Sequence, residues 1–110
     1  MADVTLERLE VFEERAGVDL RGLFVEHTRF DNNDSQWVEV KGELFSRDGN
    51  VLNADIVLEV AVYDVDGRVL AVASDSIDSD TFFGFEIFSI TTQFPSSVTP
   101  AKARVYPKIR

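Results

Sequence analysis

One stretch of the sequence decides the fold: residues 56–73, which read IVLEVAVYDVDGRVLAVA. Two runs of apolar and β-branched residues flank Asp66-Gly67, a pair that forms the tight turn of a β-hairpin. In the first run both faces are apolar, with Glu59 as the exception. Apolar residues on both faces are typical of a central strand that is covered on each side. The stretch therefore predicts the central hairpin of a β-sheet protein.

The size and composition of the chain predict one folded domain. Its 110 residues suit a single core, and 45% of them are hydrophobic, including nine Phe. That apolar content is enough to offset the conformational entropy lost on folding. We expect residues 1–20 to form an N-terminal appendage or a first strand, and residues 21–110 to form a β-sandwich.

Two further strands are predicted upstream of the hairpin. Residues 23–30 combine β-branched and aromatic residues with polar ones, and the turn-forming residues 31–35 end this run. Residues 37–45 alternate regularly between apolar and polar, as in a half-buried strand. A glycine inside a strand is unusual, and Gly42 is therefore expected to mark a bulge or the close approach of a neighbour. One face of this strand carries Val38, Val40, Gly42 and Leu44, and the other carries Glu39, Lys41 and Glu43.

The N-terminal segment has two interpretations. Leu6, Leu9, Phe12 and Ala16 are spaced three or four residues apart, as on one face of a short helix that ends at Gly17. Residues 9–13 fit the start of a strand equally well. Both alternatives stay open on the sequence alone.

Downstream of the hairpin, an acidic polar loop at residues 75–80 precedes a phenylalanine-rich strand at residues 81–90. Successive side chains of a strand point to opposite faces, so one half of its apolar residues has to face outward. We expect Phe83, Phe85 and Ile87 to face the core, and Phe82, Phe88 and Ile90 to face outward.

The C-terminal residues 102–109 alternate once more, and Pro107 is expected to confine that strand to a sheet edge or a terminus. The whole chain then holds six to eight short strands, with turn residues between them and at most one short N-terminal helix. This pattern predicts an all-β, antiparallel β-sandwich with Greek-key connections.

Residues 60–70, VAVYDVDGRVL, resemble the FxLYD-type domains, which are immunoglobulin-like β-sandwiches named for a motif of this form. Tyr63, Asp64 and Gly67 match the motif, and Val62 stands at its Leu position.

The resemblance extends over about residues 38–90. Residues 40–44, VKGEL, are similar to the preceding V-x-G-E-V strand of these domains, while Phe45-Ser46 stand where an Asn is usual and the Leu-Pro-Pro-Gly turn is missing. The resemblance implies an immunoglobulin- or fibronectin-III-like fold, a prokaryotic cell-envelope setting and a binding or structural role. It brings no catalytic residues.

Charge and residue usage argue against several classes of function. The formal net charge of -9 would repel phosphate backbones, so nucleic acid is not expected as a partner. Cysteine is missing, which leaves no disulfide, thiolate nucleophile or cysteine metal site. The single histidine, His27, is expected to be structural or on the surface rather than a ligand or base. Phosphate-binding loops and nucleophile elbows do not occur, so we expect no cofactor and no enzymatic activity.

The hydropathy pattern gives no reason to expect membrane insertion. The N-terminus does not read as a signal peptide, and no apolar run approaches the length of a membrane span. We therefore expect a soluble chain, whose compartment the residues themselves leave unknown.

The acidic loops predict a calcium site only if two of them meet at one end of the sandwich, because calcium needs several oxygen ligands. Aspartates also form turns and solubilise loops, which is the simpler interpretation. The candidate ligands are Asp31, Asp34, Asp75, Asp78 and Asp80.

The turn of the central hairpin is similar to the middle of an EF-hand loop. Alignment on Gly67 puts Val62 and Ala73 at ligand positions, which excludes an EF-hand. Asp64 is expected instead to accept backbone N–H groups across the turn. The structural turn then consists of Tyr63, Asp64, Asp66 and Gly67.

Two hypotheses on function follow. The first is a non-enzymatic β-sandwich module for protein interaction or assembly, self-association as a homodimer included, that uses exposed apolar residues and an unpaired strand edge. These residues are Trp37, Phe82, Phe88 and Ile90, unless the N-terminal segment folds over them. The second is an extracytoplasmic calcium- or small-ligand-binding domain that uses the aspartate-rich loops.

Overall fold

A computed structural model describes residues 4–29 and 34–110 and shows two β-sheets packed face to face. Within these residues the chain forms seven strands, one α-helix and a 3-10 turn at Ser79–Thr81. The all-β sandwich predicted from the sequence is confirmed. In chain order the elements are β1 (Thr5–Arg8), α1 (Glu10–Ala16), β2 (Val18–Arg29), β3 (Ser35–Ser46), β4 (Ile56–Asp64), β5 (Val69–Ile77), β6 (Phe85–Pro95) and β7 (Pro100–Ile109).

The strands are divided between a four-stranded sheet in the order β1-β7-β4-β5 and a three-stranded sheet in the order β2-β3-β6. All pairs are antiparallel except β1 and β7, which run parallel. The predicted hairpin is the β4–β5 pair, and β4 lies inside its sheet between β7 and β5. The chain crosses between sheets after β1, through α1, and again after β3, β5 and β6, as Greek-key connections do.

The core lies between the sheets and is built by strict alternation along the inner strands. Along β3 and β4 the even-numbered residues point inward and are buried, as the sequence predicts. Burial of these side chains on both sheets supplies the hydrophobic stabilisation of the fold. The fully buried apolar members on β3 and β4 are Val38, Val40, Leu44, Ile56, Leu58, Val60 and Val62.

The N-terminal segment is part of the sandwich and contains both a strand and a helix. Residues 10–16 form α1, which ends at Gly17 in the left-handed conformation that favours glycine, with φ 72°. The helical interpretation is therefore confirmed, and a strand over residues 9–13 is wrong. Leu6 belongs to β1 and packs against the core rather than continuing the helical face.

A proline fixes where β1 stops. The Arg110 N–H donates to the Asp55 carbonyl at 3.0 Å, and bonded pairs alternate along an antiparallel ladder. Pro107 therefore directs its backbone away from β4, toward the side on which β1 lies. Since proline has no N–H to offer, β1 ends at Arg8 opposite Val105. Of the two predicted settings, the edge is wrong because β7 lies between β1 and β4, whereas the terminus holds because Pro107 lies near the end of the last strand.

Strand β2 begins earlier than predicted, at Val18, and its register on β3 shifts between Arg21 and Phe24. This bulge faces Gly42, the position expected to mark a bulge or a close approach. A Cβ atom on Gly42 would lie 2.7 Å from Leu23 Cδ2 and 2.9 Å from Phe88 Cζ. A side chain at Gly42 would therefore displace Leu23 and Phe88, which close over the middle of β3 from the two flanking strands.

A buried carboxylate joins the N-terminal elements. Glu13 on α1 is 0% exposed and accepts hydrogen bonds from both Arg8 Nε, at 3.0 Å, and the Leu20 backbone N–H, at 3.0 Å. The hydrogen bond to Glu13 raises the pKa of Arg8 above its usual value. Because buried charges need partners, this contact fixes α1 against β1 and β2.

We predict that Gly42→Ala lowers the free energy of unfolding by about 2 kcal/mol, because the new methyl group overpacks the core. Urea unfolding of the purified variant measures the change. The double variant Gly42→Ala with Leu23→Ala provides the control, since removing Leu23 opens the space and should make the two substitutions non-additive. Equal stability of Gly42→Ala and wild type would contradict the close approach.

We predict that Glu13→Gln lowers the free energy of unfolding by about 2 kcal/mol, because the charge-assisted bond from Arg8 is lost in a buried place. The matched control is Glu14→Gln on the same helix, whose side chain is exposed. Thermal and urea unfolding of both variants should separate them. An equal effect of the two substitutions would show that the Glu13 contact is dispensable.

Candidate interaction surface

The outer surface of the three-stranded sheet is built from the odd-numbered residues of β3 and β6. Pairing fixes their neighbours: Phe45 lies between Asp19 and Phe85, and Glu43 lies between Arg21 and Ile87. The next row brings Phe24, Lys41 and Ser89 together. Aromatic and aliphatic side chains therefore gather at one end of this surface, on the side of β6.

We name the apolar side chains at this end, Phe45, Phe85 and Ile87, the Phe/Ile patch; Phe24 lies apart from them on β2, beside Lys41. Ile87 is 73% exposed and Phe85 49% exposed, and Phe85 stacks on Phe45 with ring centroids 5.3 Å apart. The adjoining Phe83 is 86% exposed. Neighbouring exposed apolar side chains of this kind mark a surface that excludes water when a partner binds.

Cations border the Phe/Ile patch. The guanidinium of Arg21 lies 4.3 Å from the centre of the Phe45 ring, and Lys41 Nζ lies 5.6 Å from that of Phe24. Lys41 is also 3.5 Å from Glu39 and 3.8 Å from Glu26. Charged side chains of both signs therefore lie next to the Phe/Ile patch, among them Glu43 between Arg21 and Ile87. Apolar side chains beside polar and charged ones are common at protein interfaces.

The phase predicted for β6 was wrong. Phe82, Phe88 and Ile90 are 6%, 4% and 4% exposed and belong to the core. The residues expected inside, Phe83, Phe85 and Ile87, are the exposed ones. The missed signal lies beyond residue 90: the strand continues to Pro95, where Phe94 extends the buried even-numbered series and Thr91 and Gln93 the exposed odd-numbered one.

Trp37 is on the same outer surface but not beside the Phe/Ile patch. It is half-buried and pairs with Gln93, at the end of the sheet opposite Phe45 and Phe85. The N-terminal segment does not cover the patch either. Helix α1 packs against β7 of the other sheet, where Phe12 meets Tyr106 edge to face at 5.4 Å, and against the start of β2 through Glu13 and Leu20.

The backbone of β6 has an open side beside the Phe/Ile patch. The Ser46 N–H donates to the Gly84 carbonyl at 3.3 Å and the Ser96 N–H to the Asp34 carbonyl at 2.9 Å, which places the even-numbered residues in the bonded pairs with β3. Among the described strands β6 pairs with β3 alone. The odd-numbered residues, Phe85, Ile87, Ser89, Thr91 and Gln93, therefore direct their N–H and C=O groups outward.

The acidic loops do not meet. Asp34 lies beside Pro95 and Ser96 at one end of the β3–β6 ladder, whereas Asp78 precedes the 3-10 turn before β6 and Asp80 lies within it, at the other end. Asp75 was expected in a loop and lies on β5 instead. Asp31 lies outside the described residues. Within the described part of the chain, no three acidic or histidine side chains are grouped as metal ligands would be.

The turn of the central hairpin has the structural role predicted for it. The Asp64 carboxylate accepts the N–H groups of Asp66 and Arg68, each at 2.9 Å. Gly67 follows with φ 83°.

His27, the single histidine, makes a 2.7 Å hydrogen bond with the buried side chain of Gln36. Gln36 in turn donates to the carbonyls of Pro95 and Val98, so His27 belongs to a structural network at one end of the sandwich.

The outer surface of the four-stranded sheet carries paired charges. Arg104 Nε donates to Glu7 at 2.5 Å, which raises the pKa of Arg104. Tyr106 donates its hydroxyl to Glu59, and this bond lowers the pKa of Glu59. Burial, as the larger cause, and the hydrogen bond to Glu59, as the smaller one, raise the pKa of Tyr106 to about 12. These groups are engaged with one another, so this surface is a network of internal contacts.

A small groove lies between α1 and the end of β7. Its volume is about 240 Å³, and mostly apolar residues line it. Pockets for small molecules are commonly larger, from about 300 to 1,000 Å³. The lining residues are Phe12, Arg15, Ala16, Pro107, Lys108 and Ile109.

Comparisons with known proteins add little to this description. Neither a family model nor a curated protein matches the chain. One solved structure, a beta-glucuronidase from glycoside hydrolase family 2, is similar to it at 18% identity and a TM-score of 0.49. The similarity covers 81% of this chain and 11% of that one, so the chain spans a small part of the enzyme. No conclusion is drawn from a likeness at that level, and the resemblance to FxLYD-type domains stays a prediction.

We predict that stability falls as the pH rises from 10 to 12, and that Tyr106→Phe removes part of this fall. The folded chain holds the Tyr106 proton more tightly than the unfolded chain, whose tyrosine has the ordinary pKa of 10.0. The stabilisation is complete below pH 10 and is lost as the pH approaches about 12. Urea unfolding across this range measures it. Tyr63→Phe, which retains Tyr106, should keep the steep fall of the wild type, and parallel curves for wild type and Tyr106→Phe would contradict the assignment.

Proposed function

We propose that the chain is a non-enzymatic β-sandwich module for protein interaction or assembly, which binds a partner through the Phe/Ile patch and the open edge of β6. One observation carries this proposal: the exposed Ile87 and Phe85 stand directly on the strand whose backbone groups point outward. Added strands gain affinity from main-chain hydrogen bonds and specificity from adjacent side chains. Here both kinds of contact are offered by the same residues.

The other sheet edges support the choice of β6, because each is blunted in a way that discourages pairing. Strand β2 carries a bulge, and β1 has four residues only. Strand β5 has a register shift near its start. Its Asp75 pairs with Leu58, which faces inward, so β5 carries a charge on its inner face. Strand β6 runs in unbroken register with β3 from Phe85 to Pro95, and Glu86 is its one charged residue.

The chemistry of the described residues supports binding rather than catalysis. The groove beside α1 is small, and its two cations are Arg15 and Lys108, the latter 3.2 Å from Glu59. His27 is engaged with Gln36, and Asp64 with its own turn. Titratable groups of the sandwich therefore act in internal contacts. The positions of Asp34, Asp78 and Asp80 give no support to the alternative of a calcium-binding domain.

The proposal predicts that Ile87→Glu abolishes partner binding. A charge at this position cannot be covered by a partner without a large desolvation cost. Chemical cross-linking in the native cell extract, followed by reconstitution with each purified candidate, compares the affinity of wild type and variant. We expect at least a tenfold loss, with unchanged thermal stability because the side chain is on the surface.

The matched control is Val65→Glu. Val65 is 85% exposed at the tip of the central hairpin, so the same change of charge is made outside the proposed surface. This variant should bind as the wild type does. If Val65→Glu weakens binding as much as Ile87→Glu does, or if neither variant affects any reconstituted interaction, the Phe/Ile patch is not the interaction surface.

A further inference from the structure

We propose that the occupant of the β6 edge is a second copy of this chain, added antiparallel about a two-fold axis at Ser89. This inference rests on the proposed function and names its partner. The two three-stranded sheets would then join into one continuous sheet, in the order β2-β3-β6-β6-β3-β2. The Phe/Ile patches of both copies would lie on the same outer surface of that sheet.

The backbone geometry selects the residues that pair. The hydrogen bonds from Ser46 to Gly84 and from Ser96 to Asp34 show that the even-numbered residues of β6 bond to β3. Only its odd-numbered residues therefore turn their N–H and C=O groups to the open side. In an antiparallel ladder, bonded residues must lie opposite bonded residues. A two-fold axis at Ser89 satisfies this rule along the strand, because it places odd-numbered residues opposite odd-numbered ones from Phe85 to Gln93.

The side chains are compatible with themselves in this register. On the outer surface Ile87 meets the β-branched Thr91 of the second copy, and Phe85 meets Gln93. On the inner face Phe88 lies opposite Ile90, both already apolar and buried. The one charge of the strand, Glu86, lies opposite the neutral Thr92. Cross-strand pairs of aromatic and β-branched residues stabilise a sheet, and like charges directly opposite one another destabilise it.

The acidic group nearest to the axis, Glu39, is already compensated within each copy. Glu39, on the strand beside Ser89, accepts a hydrogen bond from the Ser89 hydroxyl and lies 3.5 Å from Lys41 Nζ. The repulsion that remains comes from the net charge of -9 on each chain. Salt screens such long-range repulsion, so the association of two copies should strengthen as the ionic strength increases.

A single cysteine tests the axis. The wild-type chain has no cysteine, so Ser89→Cys introduces the only thiol. Bonded antiparallel residues have Cα atoms about 5.5 Å apart, within the range that a disulfide bridges. Under mild oxidation at micromolar concentration we expect Ser89→Cys to form a covalent dimer at least tenfold faster than Ser74→Cys. Ser74 is exposed on β5, the edge strand of the other sheet, and controls for random collision.

Sedimentation of the non-covalent protein provides the second measurement. The Thr91 backbone points away from β3, so Thr91→Pro removes an outward N–H and no bond of the fold. We expect Thr91→Pro to weaken self-association at least tenfold while Thr91→Ala keeps it. Wild-type dimers should become more stable between about 0.05 and 0.5 M salt, because the Debye length shortens about threefold over this range.

The outcomes separate this inference from the proposed function. Equal cross-linking of Ser89→Cys and Ser74→Cys, or a wild-type chain that stays monomeric at every salt concentration, overturns the second copy as the occupant. An Ile87-dependent interaction with another protein would then leave the proposed function standing. Loss of both the self-association and every Ile87-dependent interaction would overturn the two together. If Thr91→Pro fails to fold, the comparison of the two cysteine variants still decides.

Discussion

The register of β6 on β3 is the constraint on which both the core and the proposed interaction surface depend. Because side chains alternate with a period of two, one parity of β6 is buried and the other is exposed. Backbone groups alternate with the same period, so the exposed parity is also the one that turns its N–H and C=O groups away from β3. A slip of one residue would exchange Phe88 and Ile90 for Ile87 and Ser89 in the core, and would change the open edge at the same time.

That register explains which parts of the structure could be predicted from the sequence. On β3 the charged residues Glu39, Lys41 and Glu43 alternate with buried apolar ones, and on β4 the even-numbered residues from Ile56 to Val62 are all large and aliphatic, so the inward face is readable and was predicted correctly. In residues 82–90 both parities are apolar. The contrast appears only in residues 91–94, and a strand taken to end at Ile90 lacks the part that decides its phase.

Other features depend on contacts between distant residues, which local patterns do not contain. Pro107 led to the prediction of a strand at an edge or a terminus, but the parallel partner that makes β7 an internal strand, β1, lies at the other end of the chain. The close approach at Gly42 was predicted from the glycine alone, whereas the side chains that require it come from β2 and β6. The aspartates show the converse limit: residue type suggested a calcium site, but the β3–β6 ladder holds Asp34 far from Asp78 and Asp80.

An open edge next to an apolar patch is a hazard as well as a binding surface, since any extended chain can pair with it. The edge itself has nothing that prevents such pairing, but the net charge of -9 repels other acidic chains. Only a well-matched ladder then gains enough to overcome this repulsion. Pairing about a two-fold axis also closes on itself: once two β6 strands have joined, the edges left at the ends of the joined sheet are the bulged β2 strands. Such an assembly stops at two copies, whereas pairing of β6 with a different edge would continue into a filament. The bulge on β2 and the open edge of β6 thus have complementary effects, one limiting growth and the other permitting a single addition.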